Sequence, residues 1–226
     1  MVEARKGMAL VKIVLLGDVG VGKTTMIQNY VNPEKKDQAA PTMNNVMFNR
    51  TENINGIQTK LSIWDTAGQE KFESLGVAFY RSSNACIIAF DVTKKASFEA
   101  LGKWKKNFLD NAAPRNPETF PIIVVGNKID LNAERVVMRE EAESWCNANG
   151  NMPYYETCAT EGTGLTDVFM KCGTQGVKDA KVSAGGNDDD MPTSLSGAAG
   201  AIKLDPNKEE EIRETQKEKK KKKCKC

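Results

Sequence analysis

The stretch GDVGVGKTT, residues 17–25, directly follows the apolar run LVKIVLL at 10–16. It fits G-x-x-x-x-G-K-[ST] and lies after a strand-like segment and before a helix-like one, the context this motif requires. Its glycines let successive backbone N–H groups converge on a phosphate chain. The candidate phosphate-binding residues are therefore Asp18, Val19, Gly20, Val21, Gly22, Lys23, Thr24 and Thr25. Lys23 offers a point charge to the outer phosphates, and the Thr24 hydroxyl is a candidate ligand for Mg²⁺. Alone, such a loop fits ATPases, kinases and GTPases equally.

The flanking pattern fixes the fold class. LVKIVLL, ACIIAFDV (85–92) and PIIVVGN (121–127) are nearly continuous in apolar residues, as expected of parallel strands covered on both faces. IQTKLSIW (57–64) alternates instead, with Ile57, Thr59, Leu61 and Ile63 on one side. That suits an edge-proximal strand, paired through the NINGIQ turn to a strand near 46–52. Phe98, Leu101, Trp104 or Lys105, and Phe108 recur at helical spacing, as do Leu165, Val168, Phe169 and Cys172. A third helix over 139–149 turns Ala142, Trp145 and Cys146 inward. This alternation predicts an open, mostly parallel α/β sheet with helices on both faces and ligands at the carboxyl ends of the strands.

Composition removes several chemistries. With no histidine, the commonest general base and metal ligand are missing, which argues against zinc chemistry and Ser-His mechanisms. Cys86, Cys146, Cys158 and Cys172 show no Cys-x-x-Cys spacing and read as reduced core thiols rather than a disulfide framework. A net charge of +2 gives no global field for nucleic acid. The first ten residues lack a signal-peptide core, and Val2 excludes the myristoylation pattern. No apolar run approaches the ~20 residues that span a bilayer, so membrane contact is expected only through an anchor.

NKID, residues 127–130, narrows the nucleotide. It follows an apolar strand and so falls on the ligand side of the sheet. The Asp130 carboxylate can accept from both N1–H and the 2-amino group of guanine. Adenine offers no such pair and leaves the carboxylate unsatisfied. Asn127 is placed to brace the neighbouring loops, and the Lys128 stem to lie on the base plane. WDTAGQE, residues 64–70, adds Asp65 for Mg²⁺, the Gly68 N–H for the γ-phosphate and Gln69 for orienting an attacking water.

With these motifs assembled, the chain resembles the Ras superfamily, and within it the Rab GTPases. WDTAGQEKF followed by YR, with FDVT and GNKIDL, resembles Rab throughout. ESLGVAFYR, NPETFPIIVVGNKIDL, PYYETCA and IKLD are similar to the Rab-seven subgroup of late endosomes and lysosomes. The resemblance covers about residues 8–178 and the last two cysteines. It implies the small G-protein form of the P-loop NTPase fold, with a six-stranded sheet. It also implies a GTP/GDP cycle with Mg²⁺ and a monomeric GTPase domain at 9–180, after a short extension at 1–8. Thr42 matches the switch threonine that ligates Mg²⁺ and meets the γ-phosphate. Cys158, Ala159 and Thr160 match the last base-contacting loop, where the Ala159 N–H meets the guanine oxygen. Trp64 and Phe79 match two of three aromatic residues that face effectors. The implied partners are an exchange factor, a Rab GAP, GDP-dissociation inhibitor, Rab escort protein and GTP-dependent effectors.

Four departures from the family pattern carry expectations. Val19 stands where Rabs carry Ser, beside the attacking water, and is expected to slow hydrolysis. Thr160 replaces a lysine that packs on the base, which predicts faster nucleotide release. Cys158 for Ser is expected to be mild. PTMNNVMF replaces TIGADF in switch I, so Met47 falls where the third effector aromatic belongs, with Phe48 one residue later, and both are expected to face effectors with Trp64 and Phe79. A one-residue slip turns side chains to the opposite face.

From residue 181 onward, small, polar and charged residues predominate, and 181–226 reads as a disordered hypervariable linker with a polybasic end. KEKKKKKCKC is open to readings as a solvated charge run or a nuclear-localisation or RNA-binding patch. Cys224 and Cys226, with one residue between them, match the Rab Cys-x-Cys pattern, which implies two geranylgeranyl groups on the cytoplasmic face of endomembranes. Two chains give stable anchoring, and the lysines add attraction to an anionic leaflet. The expected function is a membrane-anchored GTPase switch. The alternatives are a pseudo-GTPase scaffold that scarcely cycles and, against the Asn127–Asp130 motif, an ATP-dependent kinase.

Overall fold

A computed structural model describes residues 8–34, 46–66 and 80–183. In chain order the elements are β1 (Ala9–Leu16), α1 (Lys23–Val31), β2 (Val46–Ile54), β3 (Ile57–Asp65), β4 (Ala85–Asp91), α2 (Lys95–Glu99), α3 (Leu101–Ala112), β5 (Ile122–Asn127), a 3₁₀ helix (Ile129–Glu134), α4 (Arg139–Ala148), β6 (Tyr154–Thr157) and α5 (Leu165–Ser183). The strands form one six-stranded sheet in the order β2-β3-β1-β4-β5-β6. All neighbours run parallel except β2, which pairs antiparallel with β3.

Strand alternation divides the core into two layers. Val11, Ile13 and Leu15 of β1 join Leu61, Ile63, Ile87 and Val125 on one face, packed by Met26, Ile27 and Tyr30 of α1 and Leu165, Phe169 and Cys172 of α5. Val14, Leu16, Cys86, Ile88 and Phe90 take the other face, packed by Phe98, Leu101, Trp104, Phe108 and Cys146. A helix on each face buries the near-continuous runs of β1, β4 and β5. The alternating β3 lies next to the edge strand, as its pattern predicts.

The edge corrects one expectation. Met47 pairs across from Trp64, and Phe48 from Ile63. Met47 is 49% exposed, whereas Phe48 packs against the layer beneath α1 and α5. Successive strand residues point to opposite faces, so Phe48 does not share a surface with Met47 and Trp64. Phe79 lies outside the described residues.

Candidate nucleotide site

The phosphate loop leaves the carboxyl end of β1 through backbone that only glycine tolerates. Gly17 has φ +133°, and a Cβ there would stand 2.1 Å from the Ala89 carbonyl oxygen. Gly22, φ +101°, caps α1, and a Cβ there would stand 2.3 Å from Asn127 Nδ2. Left-handed backbone costs an ordinary residue ~1–2 kcal/mol, and the contacts forbid a side chain besides. The first helical bond runs from the Met26 N–H to the Gly22 carbonyl. The earlier N–H groups of the helix end are left to meet an anion.

Lys23 is 6% exposed. Its ammonium donates to the carbonyls of Gly17 (2.7 Å) and Asp18 (2.9 Å). Burial lowers its pKa to about 8, against the opposing pull of Asp65 and Asp18. The Asp18 side chain turns outward to accept from Trp104 Nε1 at 2.7 Å, which ties the loop to α3. Val21 is buried, Thr25 is half-buried, and Val19, at 53% exposed, stands beside exposed Gly20.

The Thr24 hydroxyl donates to Asp65 Oδ2 at 2.6 Å. Asp65, at the end of β3, is fully buried. Two hard oxygen donors thus meet at the phosphate end, next to a cation. Mg²⁺ takes few protein ligands and completes its shell with phosphates and water, and this donor pair fits that chemistry. No cluster of three or more Cys, Asp or Glu side chains competes for a metal among the described residues.

The base end is organised by Asn127, the last residue of β5 and 1% exposed. Its Nδ2 donates to the Val21 carbonyl (2.8 Å), and its Oδ1 accepts from Thr157 Oγ1 (3.0 Å) and the Ala159 N–H (3.0 Å). One carboxamide therefore fastens the phosphate loop to the loop after β6. Lys128 adopts left-handed backbone, φ +71°, and its ammonium pairs with the buried Asp91 carboxylate at 2.7 Å. Burial pushes the Asp91 carboxyl up, but Lys128 and two hydrogen bonds from Thr93 outweigh it and hold the pKa low. Asp130 is exposed at the start of the 3₁₀ helix. Cys158 is 1% exposed, and its sulfur lies 3.1 Å from Thr160 Oγ1. Burial raises this thiol's pKa, which keeps it protonated. Arg135, just after the 3₁₀ helix, forks onto Glu156 of β6 at 2.7 and 3.3 Å, bracing the segment that follows Asn127 against β6.

The candidate residues at 18–25, 65, 127–130 and 158–160 thus converge at the carboxyl ends of β1, β3, β5 and β6. Thr42, Gly68, Gln69, Cys224 and Cys226 lie outside the described residues. Sequence reasoning missed Asp91 and Trp104 as supports. Each holds a motif residue: Asp91, which the resemblance placed in FDVT without a role, pairs with Lys128, and Trp104, read only as a helix position, donates to Asp18.

A phosphate loop and a guanine-type loop joined by one asparagine define a nucleotide-binding protein of the P-loop class. The chain belongs to the Ras family, whose model matches residues 12–178. It is 44% identical over 171 residues to Ras-related protein RABG3e of Arabidopsis thaliana, covering 75% of this chain and 83% of that protein. It is 42% identical over 175 residues to Ras-related protein Rab-7a of Dictyostelium discoideum, covering 77% and 86%. Against Ras-related protein Rab7 of Prunus armeniaca it is 44% identical over 163 residues, covering 71% and 79%. It is a Rab-type small GTPase, similar to the Rab7 members of the family.

Proposed function

We propose that this chain is a GTP/GDP-cycling switch on the cytoplasmic face of endomembranes, governing vesicle traffic from late endosomes to lysosomes or vacuoles. The observation that carries the reading is the Asn127 carboxamide, which sets the guanine-type loop at a fixed distance from the phosphate cradle. A buried ammonium, Lys23, at one end and a carboxylate, Asp130, at the other suit a guanosine di- or triphosphate. Thr24 and Asp65, with Thr42, would hold Mg²⁺, whose role is to neutralise charge on the outer phosphates. Lys23 binds those phosphates, Asp130 reads the base, and Gln69 orients water for hydrolysis. Order in the switch segments then depends on the γ-phosphate. Geranylgeranyl groups on Cys224 and Cys226 anchor the switch. The regulators are an exchange factor, a Rab GAP, GDP-dissociation inhibitor and Rab escort protein.

The exposed Val19 side chain on the phosphate loop supports a second reading, a nucleotide-holding scaffold with little hydrolysis. Multiple-turnover GTPase assays with and without a Rab GAP separate the two. The switch reading predicts intrinsic turnover at or below ~10⁻⁴ s⁻¹, faster in Val19→Ser and strongly GAP-stimulated. No stimulation of either protein favours the scaffold.

A further inference from the structure

Asn29 sits on α1, six residues after Lys23 and so about 9 Å further along the helix axis. Its Nδ2 donates to two successive carbonyls of the base loop, Ala159 at 3.0 Å and Thr160 at 3.1 Å. The loop is shaped around it. Gly162 has φ +87°, and a Cβ there would stand 3.3 Å from Asn29 Oδ1. Asn127 grips the same loop from the opposite side, through the Ala159 N–H and Thr157 Oγ1.

We propose that Asn29 is a positioning residue for guanine recognition: it clamps the carbonyls of Ala159 and Thr160, so one helix sets both the phosphate cradle and the edge of the pocket that faces the six-position of the base. The assignment rests on the reading of 158–160 as the base-contacting loop. It also bears on Thr160. The loop backbone at this residue is held from α1, so its geometry does not depend on a lysine at 160. The nucleotide release expected to quicken at this position is restrained by Asn29.

The chemistry separates a clamp from a generic helix contact. Alanine removes both donors. Aspartate keeps the shape, but sets a carboxylate against two carbonyl oxygens. Affinities of the full chain for GDP, IDP and 6-thio-GDP give the readout, each as Mg²⁺ complexes, for wild type, Asn29→Ala and Asn29→Asp. IDP keeps the six-position oxygen and lacks the 2-amino group; 6-thio-GDP replaces that oxygen by the larger, weaker acceptor sulfur. Two lost hydrogen bonds predict GDP affinity lower by roughly five- to twentyfold in Asn29→Ala, and lower still in Asn29→Asp. The GDP:IDP ratio stays within about twofold, while the GDP:6-thio-GDP ratio shrinks by about threefold or more as the clamped edge loosens.

Unchanged affinities overturn the proposal. So does an equal loss for all three nucleotides, which marks damage to the helix rather than to the six-position edge. So does an Asn29→Asp protein that binds as well as wild type. Wild type is titrated with ADP as well; no preference for GDP over ADP overturns the base-loop reading itself, and with it the proposal. Discrimination by wild type with unchanged ratios in both variants overturns the clamp alone.

Discussion

At the phosphate end of the site, Gly17 and Gly22 leave no space for one added carbon, and Lys23 and Asp65 are buried. At the base end, Asp130 and Thr160 are exposed, and the segments that carry them are held by side chains: Asn127, Asn29, and the Asp91–Lys128 pair. The first region is made of backbone, which either fits or does not. The second is made of side-chain hydrogen bonds, each replaceable at a modest cost. The phosphate end should therefore respond to substitution as a switch, and the base end by degrees.

The sharpest break in that contrast is Gly22→Ala. It combines left-handed backbone strain of ~1–2 kcal/mol with displacement of Asn127 from its three partners. GDP affinity is expected to fall by more than about a hundredfold, measured by fluorescence titration with a labelled nucleotide. A loss under tenfold would show that the cradle bends.

Protons offer the second test. Free Lys23 loses its charge near pH 8, whereas phosphates in the site hold it charged. Below pH 8 GDP affinity is flat. Above it, each association takes up one proton and affinity falls by up to about tenfold per pH unit, a slope that Lys23→Met abolishes. The ligand-free fold behaves oppositely. The unfolded chain binds the extra proton between pH 8 and the ordinary lysine value of 10.5, so this group's contribution to stability rises with pH across that window.

The smallest effect belongs to the base end. Asp91→Asn keeps the shape beside Thr93 and removes the partner of Lys128. Stopped-flow GDP release is expected to quicken about fivefold, the scale of a ~1 kcal/mol ion pair. Adding Asp91→Asn to Lys128→Met should then change nothing further. Additive losses in the double variant would mean that Asp91 acts on the fold rather than through Lys128.

The layers of the fold and the motif half of the site were legible because both are local. A continuous apolar run marks a strand covered on two faces, and G-x-x-x-x-G-K-T or N-K-x-D needs only near neighbours. The supports were not legible for the same reason. Asn29 holds backbone carbonyls 130 and 131 residues away, and a carbonyl leaves no trace in residue identity. Asp91 sits inside a strand-like run and meets Lys128 only because β4 and β5 are adjacent. Only one of Met47 and Phe48 can share the Trp64 face, since neighbours on a strand point to opposite sides, and the pairing with β3, which the residues around them do not specify, gives that face to Met47.

Isothermal titration of the purified chain with GDP and with ADP, both in excess Mg²⁺, addresses the central claim. One pocket joined by Asn127 predicts tight one-to-one binding of GDP. ADP should bind at least about a thousandfold more weakly, because a site built around a specific hydrogen-bonding edge rejects the base that lacks it. Comparable heats and affinities for the two nucleotides would contradict it.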